Sequence, residues 1–171
     1  MSKRTKTASA ATNPKNFWPT PREAVMPLTR HLVPGTVYDE PCAGDGAIMR
    51  VLAEHGMLCA AAHDMIPTGP GILWGDATKL PVGGRLIVTN PPYAQPLLQP
   101  LLDHWIGNRE AWLLLPLDMA ANIWTNQYMR HADHILPLGR VSWLQNGQAG
   151  MENSAWFHFT KESVDLILPR S

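Results

Sequence analysis

The stretch Val37-Tyr38-Asp39-Glu40-Pro41-Cys42-Ala43-Gly44-Asp45-Gly46 runs a short apolar segment into two closely spaced glycines, and residues 45–55 then carry Ile48, Val51 and Leu52 at helical spacing. A strand that turns through glycines into a helix is the opening unit of an open α/β sheet, where the turn lets a ligand approach the backbone closely. A plain turn also uses glycine, but two details narrow the reading. The dinucleotide fingerprint places a third glycine at position 49, where Met49 stands, which disfavours a pyrophosphate ligand. The loop also carries Glu40 and Asp45, which repel phosphate and suit a cation.

Strand-like and helix-like segments alternate on both sides of this unit. Before it, Phe17-Trp18-Pro19-Thr20-Pro21 leads into a predicted helix over residues 21–33, with Thr20 as its cap and Val25, Leu28 and Leu32 on one face. After it come predicted strands at residues 57–63, 71–74, 85–89 and 111–115, with helices at 94–105 and 118–130. Residues 140–144 and 153–160 alternate like strands about a turn-rich loop, Gln145-Asn146-Gly147-Gln148-Ala149-Gly150. The expected fold is therefore α/β: a mostly parallel seven-stranded sheet with helices on both faces and an antiparallel C-terminal hairpin closing one edge.

Length and charge fit that frame. The chain has 171 residues, 45% of them apolar, which suits one domain with a buried core. No apolar run reaches the ~20 residues of a membrane helix, and two cysteines are too few for a disulfide scaffold or a four-cysteine zinc site, so a cytoplasmic, reducing setting is expected. Fourteen bases balance fourteen acids. The balance is uneven, because residues 1–15 hold Lys3, Arg4, Lys6 and Lys15 and no acid. Residues 1–13 read as a disordered basic tail, able to touch phosphates, ahead of an acidic body over 14–171 that forms a single domain.

Acids recur at the expected strand ends. Asp64 closes the second strand, where a carboxylate can receive ribose hydroxyls, and Asp76 with Ala77 follows the third. Each alone is also a common turn residue. The sharpest feature is Asn90-Pro91-Pro92-Tyr93, directly after the strand Ile87-Val88-Thr89. The prolines stiffen the backbone and offer no N–H, leaving outward carbonyls as acceptors, while Asn90 adds an amide oxygen and Tyr93 a flat ring. Two acceptors and a stacking face suit a planar substrate bearing an amino group. His131 with His134, and Cys59 with His63, lack further partners at recognisable spacing, so no metal site is expected.

Glu40–Gly46 followed by Asn90–Tyr93 resembles the amino-methyltransferase pattern of S-adenosylmethionine-dependent enzymes. The preceding Phe17–Pro21 segment resembles the Thr-Pro segment of gamma-class DNA adenine methyltransferases, and the short chain resembles phage-encoded enzymes of the Dam type. The resemblance implies a Rossmann-like class I methyltransferase, bacterial or phage-encoded, that methylates the N6 amine of a flipped-out adenine in DNA. S-adenosylmethionine would be held by Phe17, Trp18, Thr20, Glu40, Cys42, Gly44, Gly46, Asp64, Asp76, Ala77 and Asn90. Asn90 and the Pro91 carbonyl would bind the target amine, with Pro92 stiffening the motif and Tyr93 stacking on the base. With no separate target-recognition domain in 14–171, base reading would fall to Arg140, Gln145, Asn146 and Gln148 in the hairpin, or to Trp124 and its neighbours. RNA adenine, a protein glutamine, cytosine, or a non-catalytic role of the same fold are the alternatives.

Overall fold

The computed structural model describes residues 19–81, 83–144, 150 and 152–164. Seven strands form one sheet: β1 (Val37–Glu40), β2 (Leu58–Asp64), β3 (Leu73–Trp74), β4 (Leu86–Thr89), β5 (Ala111–Pro116), β6 (Ala132–Arg140) and β7 (Asn153–Phe159). Their spatial order is β3-β2-β1-β4-β5-β7-β6. The pairs among β1 to β5 are parallel, and β7 is antiparallel to both β5 and β6. The hairpin thus does more than close an edge, because its second strand inserts between β5 and β6.

Alternating side chains explain why the sheet is covered on both faces. On β5, Ala111, Leu113 and Leu115 join Ile87, Phe157 and Phe159 in one core, beneath α3 (Gln95–Trp105), which contributes Leu98, Leu101, Leu102 and Trp105. Trp112 and Leu114 point the other way and join Tyr38, Val88 and Trp156. That second core is closed by Ile48, Val51 and Leu52 of α2 (Ala47–Glu54) and by Ala24, Val25 and Leu28. Two-sided burial is what a sheet with helices on both faces requires.

Three local expectations are corrected. The segment predicted as one helix over 21–33 is a four-residue α1 (Arg22–Val25) that tightens into a 3-10 turn at Met26–Arg30. Pro27 lacks the N–H that an α ladder would use there. Residues 118–130 are likewise broken, into 3-10 turns at Leu117–Ala121 and Ile123–Thr125 and a short α4 (Asn126–Met129). The Thr125 hydroxyl donates to the carbonyls of Met119 and Asn122, competing with a regular ladder. The strand expected at 140–144 lies earlier, as β6. Pro137 and Gly139 hide it from propensity, and an edge strand tolerates both.

Candidate active site

Strand order reverses beside β1, since β2 lies on one side of it and β4 on the other. Ligands of open α/β sheets bind in the crevice at the carboxyl ends of the strands flanking such a point. Glu40 is the last residue of β1 and Asn90 immediately follows β4, so the two motifs singled out in the sequence face each other across it.

The loop after β1 is fastened from several sides. The Ala43 N–H donates to the His63 carbonyl at 2.8 Å, the Gly44 N–H to Asp64 Oδ2 at 2.8 Å, and the Gly46 N–H to the Ala43 carbonyl at 2.7 Å. Gly44 and Gly46 have φ of 56° and 78°, left-handed values that favour glycine. Asp45 faces away from the crevice, accepting from the Ala47 N–H and pairing with Arg50 at 2.9 Å. The segment after β2 lies over this loop: the Thr68 N–H donates to the Gly44 carbonyl at 3.0 Å.

Glu40 is the unusual group. Its side chain is 1% exposed, and its Oε2 has no hydrogen-bond partner among the described residues. Burial, reinforced by Asp45 and Asp64 and opposed by Arg50, holds its carboxyl well above the ordinary glutamate range. A buried acceptor left without a donor is costly, and a cationic or N–H-bearing ligand would relieve that cost. Cys42 packs against the α3-side core, and burial pushes its thiol far up, which excludes it as a nucleophile.

Asp64 and Asp76 end β2 and follow β3, as expected, but both already serve the backbone. Asp64 Oδ1 accepts from the Ile66 N–H at 2.7 Å while its Oδ2 holds Gly44. Asp76 Oδ1 accepts from the Thr78 N–H and hydroxyl, and its Oδ2 pairs with Lys79 at 3.0 Å. The Thr78 hydroxyl, Lys79 and the Thr78 N–H lower the Asp76 carboxyl to about 2, so it is ionised throughout the neutral range. Ala77 beside it is buried in the α3-side core.

The Asn90 amide is held at both ends. Its Nδ2 donates to Thr20 Oγ1 at 3.1 Å, and its Oδ1 accepts from the Tyr93 hydroxyl at 2.8 Å. Thr20 therefore does not cap α1, whose N-cap position is Pro21 and carries no side-chain cap bond. Burial raises the Tyr93 phenol far above its usual value, so it stays a proton donor. Pro91 is buried and Pro92 half-buried, and both keep Asn90 beyond the sheet edge.

One neighbour of this site escaped the sequence reading. Trp143 sits edge-on to Tyr93, with ring centroids 6.3 Å apart and planes at 78°. Its only sequence signal was a tryptophan next to a turn-rich loop. Glu23 anchors that region by accepting from the Ser142 N–H at 2.9 Å, and Trp156 Nε1 donates to the Ala24 carbonyl at 2.7 Å. The start of the β6–β7 loop is thereby bound to the segment carrying Thr20. Arg140 is exposed at the end of β6, beside Glu23, Pro137 and Val141. Trp124 packs edge-on against Tyr128, at 6.2 Å and 78°. Phe17, Trp18, Gln145, Asn146 and Gln148 lie outside the described residues.

The donor set fits S-adenosylmethionine. A buried carboxylate oxygen without a partner among the described residues, a loop with two left-handed glycines and two further acids at successive strand ends favour a cationic, hydroxyl-rich ligand over a phosphate.

No protein-family model matches the sequence, and no curated protein does. Solved structures do. A candidate RNA methyltransferase from Pyrococcus horikoshii superposes with a TM-score of 0.67 at 14% identity, covering 88% of this chain and 90% of that one. A class I S-adenosylmethionine-dependent methyltransferase candidate from Listeria monocytogenes gives 0.60 at 11% identity, over 92% and 65%. The M protein of the type I restriction enzyme EcoKI gives 0.56 at 15% identity, over 91% and 46%. At these identities the likeness is one of fold, and the fold of this chain is that of the Rossmann-like class I methyltransferases.

Proposed function

We propose that this chain transfers a methyl group from S-adenosylmethionine to the N6 amine of adenine in DNA. The observation that carries the reading is the Asn90 clasp, an amide fixed by Thr20 directly after β4 and across the strand-order reversal from the unpartnered Glu40. Glu40, Gly44, Gly46, Asp64 and Asp76 with Ala77 would hold the cofactor, together with Thr20, Asn90, Cys42 and the aromatic pair Phe17 and Trp18. The cofactor, when bound, supplies the methyl group on a sulfonium, so neither a metal nor a protein nucleophile is required.

The chain's own residues then have a defined task. An adenine amine is a weak nucleophile because its lone pair is delocalised into the ring. Asn90 Oδ1 and the Pro91 carbonyl accept its N–H bonds, which draws the nitrogen toward tetrahedral geometry and offsets the charge it gains. The stiff prolines keep those acceptors in place. A duplex base reaches such a site only when flipped out, and stacking on the Tyr93 ring contributes about 1–3 kcal/mol toward that cost. Arg140 and the loop residues Gln145, Asn146 and Gln148 are the proposed base readers, and the basic N-terminal segment a phosphate contact.

Labelled methyl transfer tests the reading with duplex DNA, RNA and protein as acceptors. Label in adenine of DNA, lost in Asn90→Ala with cofactor binding retained, is expected. Transfer to RNA or glutamine alone would overturn the substrate, and full activity of Asn90→Ala would overturn the catalytic assignment.

A further inference from the structure

β6 and β7 bring together three side chains that sequence spacing does not relate. Between Ala132 and His134 the register of β6 shifts, so that Asp133 and His134 together stand opposite His158. Successive residues of a regular strand point to opposite faces, whereas such an irregularity turns neighbours toward one another. Asp133 Oδ1 lies 2.6 Å from His158 Nδ1 and 3.1 Å from His134 Nδ1. Among the described residues, these are the one group of three potential metal-ligating side chains whose ligand atoms all fall within 4.8 Å of one another.

The three positions differ in exposure in a way that suits a chelate. The His158 side chain is mostly covered and lies against Trp112, with ring centroids 4.7 Å apart, so its orientation is fixed by packing. The His134 side chain is 65% exposed and open to solvent. Tetrahedral coordination at the usual zinc–imidazole distance separates ligand atoms by about 3.3 Å, so the two Asp133–imidazole spacings need adjustments of under ~1 Å. An imidazole that carries its hydrogen on Nε2 offers Nδ1 as a ligand atom.

We propose that Asp133, His134 and His158 bind a divalent first-row transition ion, with solvent completing its shell. Two imidazoles and one carboxylate select zinc, cobalt, nickel or copper over magnesium and calcium. His158 pairs with Trp112 of β5, and β7 stands two strands from β4, the strand that leads into Asn90. The ion therefore clips the edge strand β6 to β7 and takes no part in methyl transfer.

Calorimetric titration of the full chain with Zn²⁺ tests this, with Co²⁺ absorption as a second readout. One ion per chain is expected, together with a rise in melting temperature. His134→Gln, at an exposed position that leaves folding intact by circular dichroism, should weaken binding at least about tenfold, the scale seen for losses around metal sites. Asp133→Asn should do the same. His55→Gln, on a histidine bonded to the Val51 carbonyl in α2, and Cys59→Ser should leave binding unchanged. Absence of saturable one-to-one binding, equal affinity in His134→Gln, or loss of binding in Cys59→Ser would each overturn the site.

Discussion

Asn90 Nδ2 donates to Thr20 Oγ1 at 3.1 Å across 70 residues of sequence, tying the segment before α1 to the motif after β4. The bond holds the amide in place beside the end of β4, with its Oδ1 turned toward the Tyr93 hydroxyl. Thr20→Val keeps the shape and removes the acceptor. We expect methyl transfer to fall about fivefold, in line with the ~1 kcal/mol net value of such a bond, and Thr20→Ser to restore it. Wild-type turnover in Thr20→Val would show that the clasp does not position Asn90.

Glu40 is predicted to trade stability for ligand binding. Its carboxyl is raised above its ordinary value of 4.5 by burial and by Asp45 and Asp64, so folding favours the protonated form. The stabilisation that Glu40 contributes to the ligand-free protein is then fully present below about pH 4.5 and is lost as pH rises through the raised value. Glu40→Gln removes the ionisable group. The variant should melt roughly 2–4 °C higher at neutral pH, the shift that about 1 kcal/mol gives in a chain of this size, with a flatter pH profile. Its S-adenosylmethionine affinity should drop about tenfold or more, as expected when a charged acceptor is lost. Thermal melts and calorimetry measure the two effects separately, and a variant neither more stable nor weaker in binding contradicts the assignment.

Tyr93 combines a phenol bonded to Asn90 with the ring proposed to stack on the target base. The two roles separate in Tyr93→Phe and Tyr93→Ala. Phenylalanine keeps the ring and should retain methylation within about fivefold. Alanine forfeits stacking, worth about 1–3 kcal/mol, and should lose roughly 5- to 150-fold. Steady-state rates on duplex DNA decide this, and equal losses in both variants would assign the effect to the hydroxyl.

Gly69 packs against the glycine loop so closely that a Cβ there would stand 2.4 Å from the Asp45 carbonyl oxygen. Backbone cannot yield as a flexible side chain can. Gly69→Ala should therefore displace the loop and lower both melting temperature and cofactor affinity. Gly83→Ala, where nothing lies within 4 Å, is the matched control. An unchanged melt for Gly69→Ala would show that the segment after β2 is free to move off the loop.

The order of strands through β5 and the two-faced burial were legible in the sequence, because local chemistry dictates them. Gly44 and Gly46 mark a turn with positive φ, the run Ile87-Val88-Thr89 marks a buried strand, and Asn90-Pro91-Pro92 fixes its own backbone. β6 was not legible, since an edge strand needs neither strict alternation nor the absence of proline and glycine. The broken helices were missed because single groups, the absent N–H of Pro27 and the Thr125 hydroxyl, override an apolar periodicity.

By itself the sequence determined where the acids, the glycines and the Asn-Pro-Pro-Tyr segment fall relative to the strands, since these groups declare their capacities through covalent structure alone. Tertiary structure alone decided their partners. It set Thr20 on Asn90, Asp64 on Gly44, Trp143 against Tyr93 and His158 beside Asp133, and among the described residues it left Glu40 Oε2 without one. The physical reason is that these contacts depend on how strands are ordered and aligned in the sheet, which is set by packing of the whole chain and not by any window of sequence.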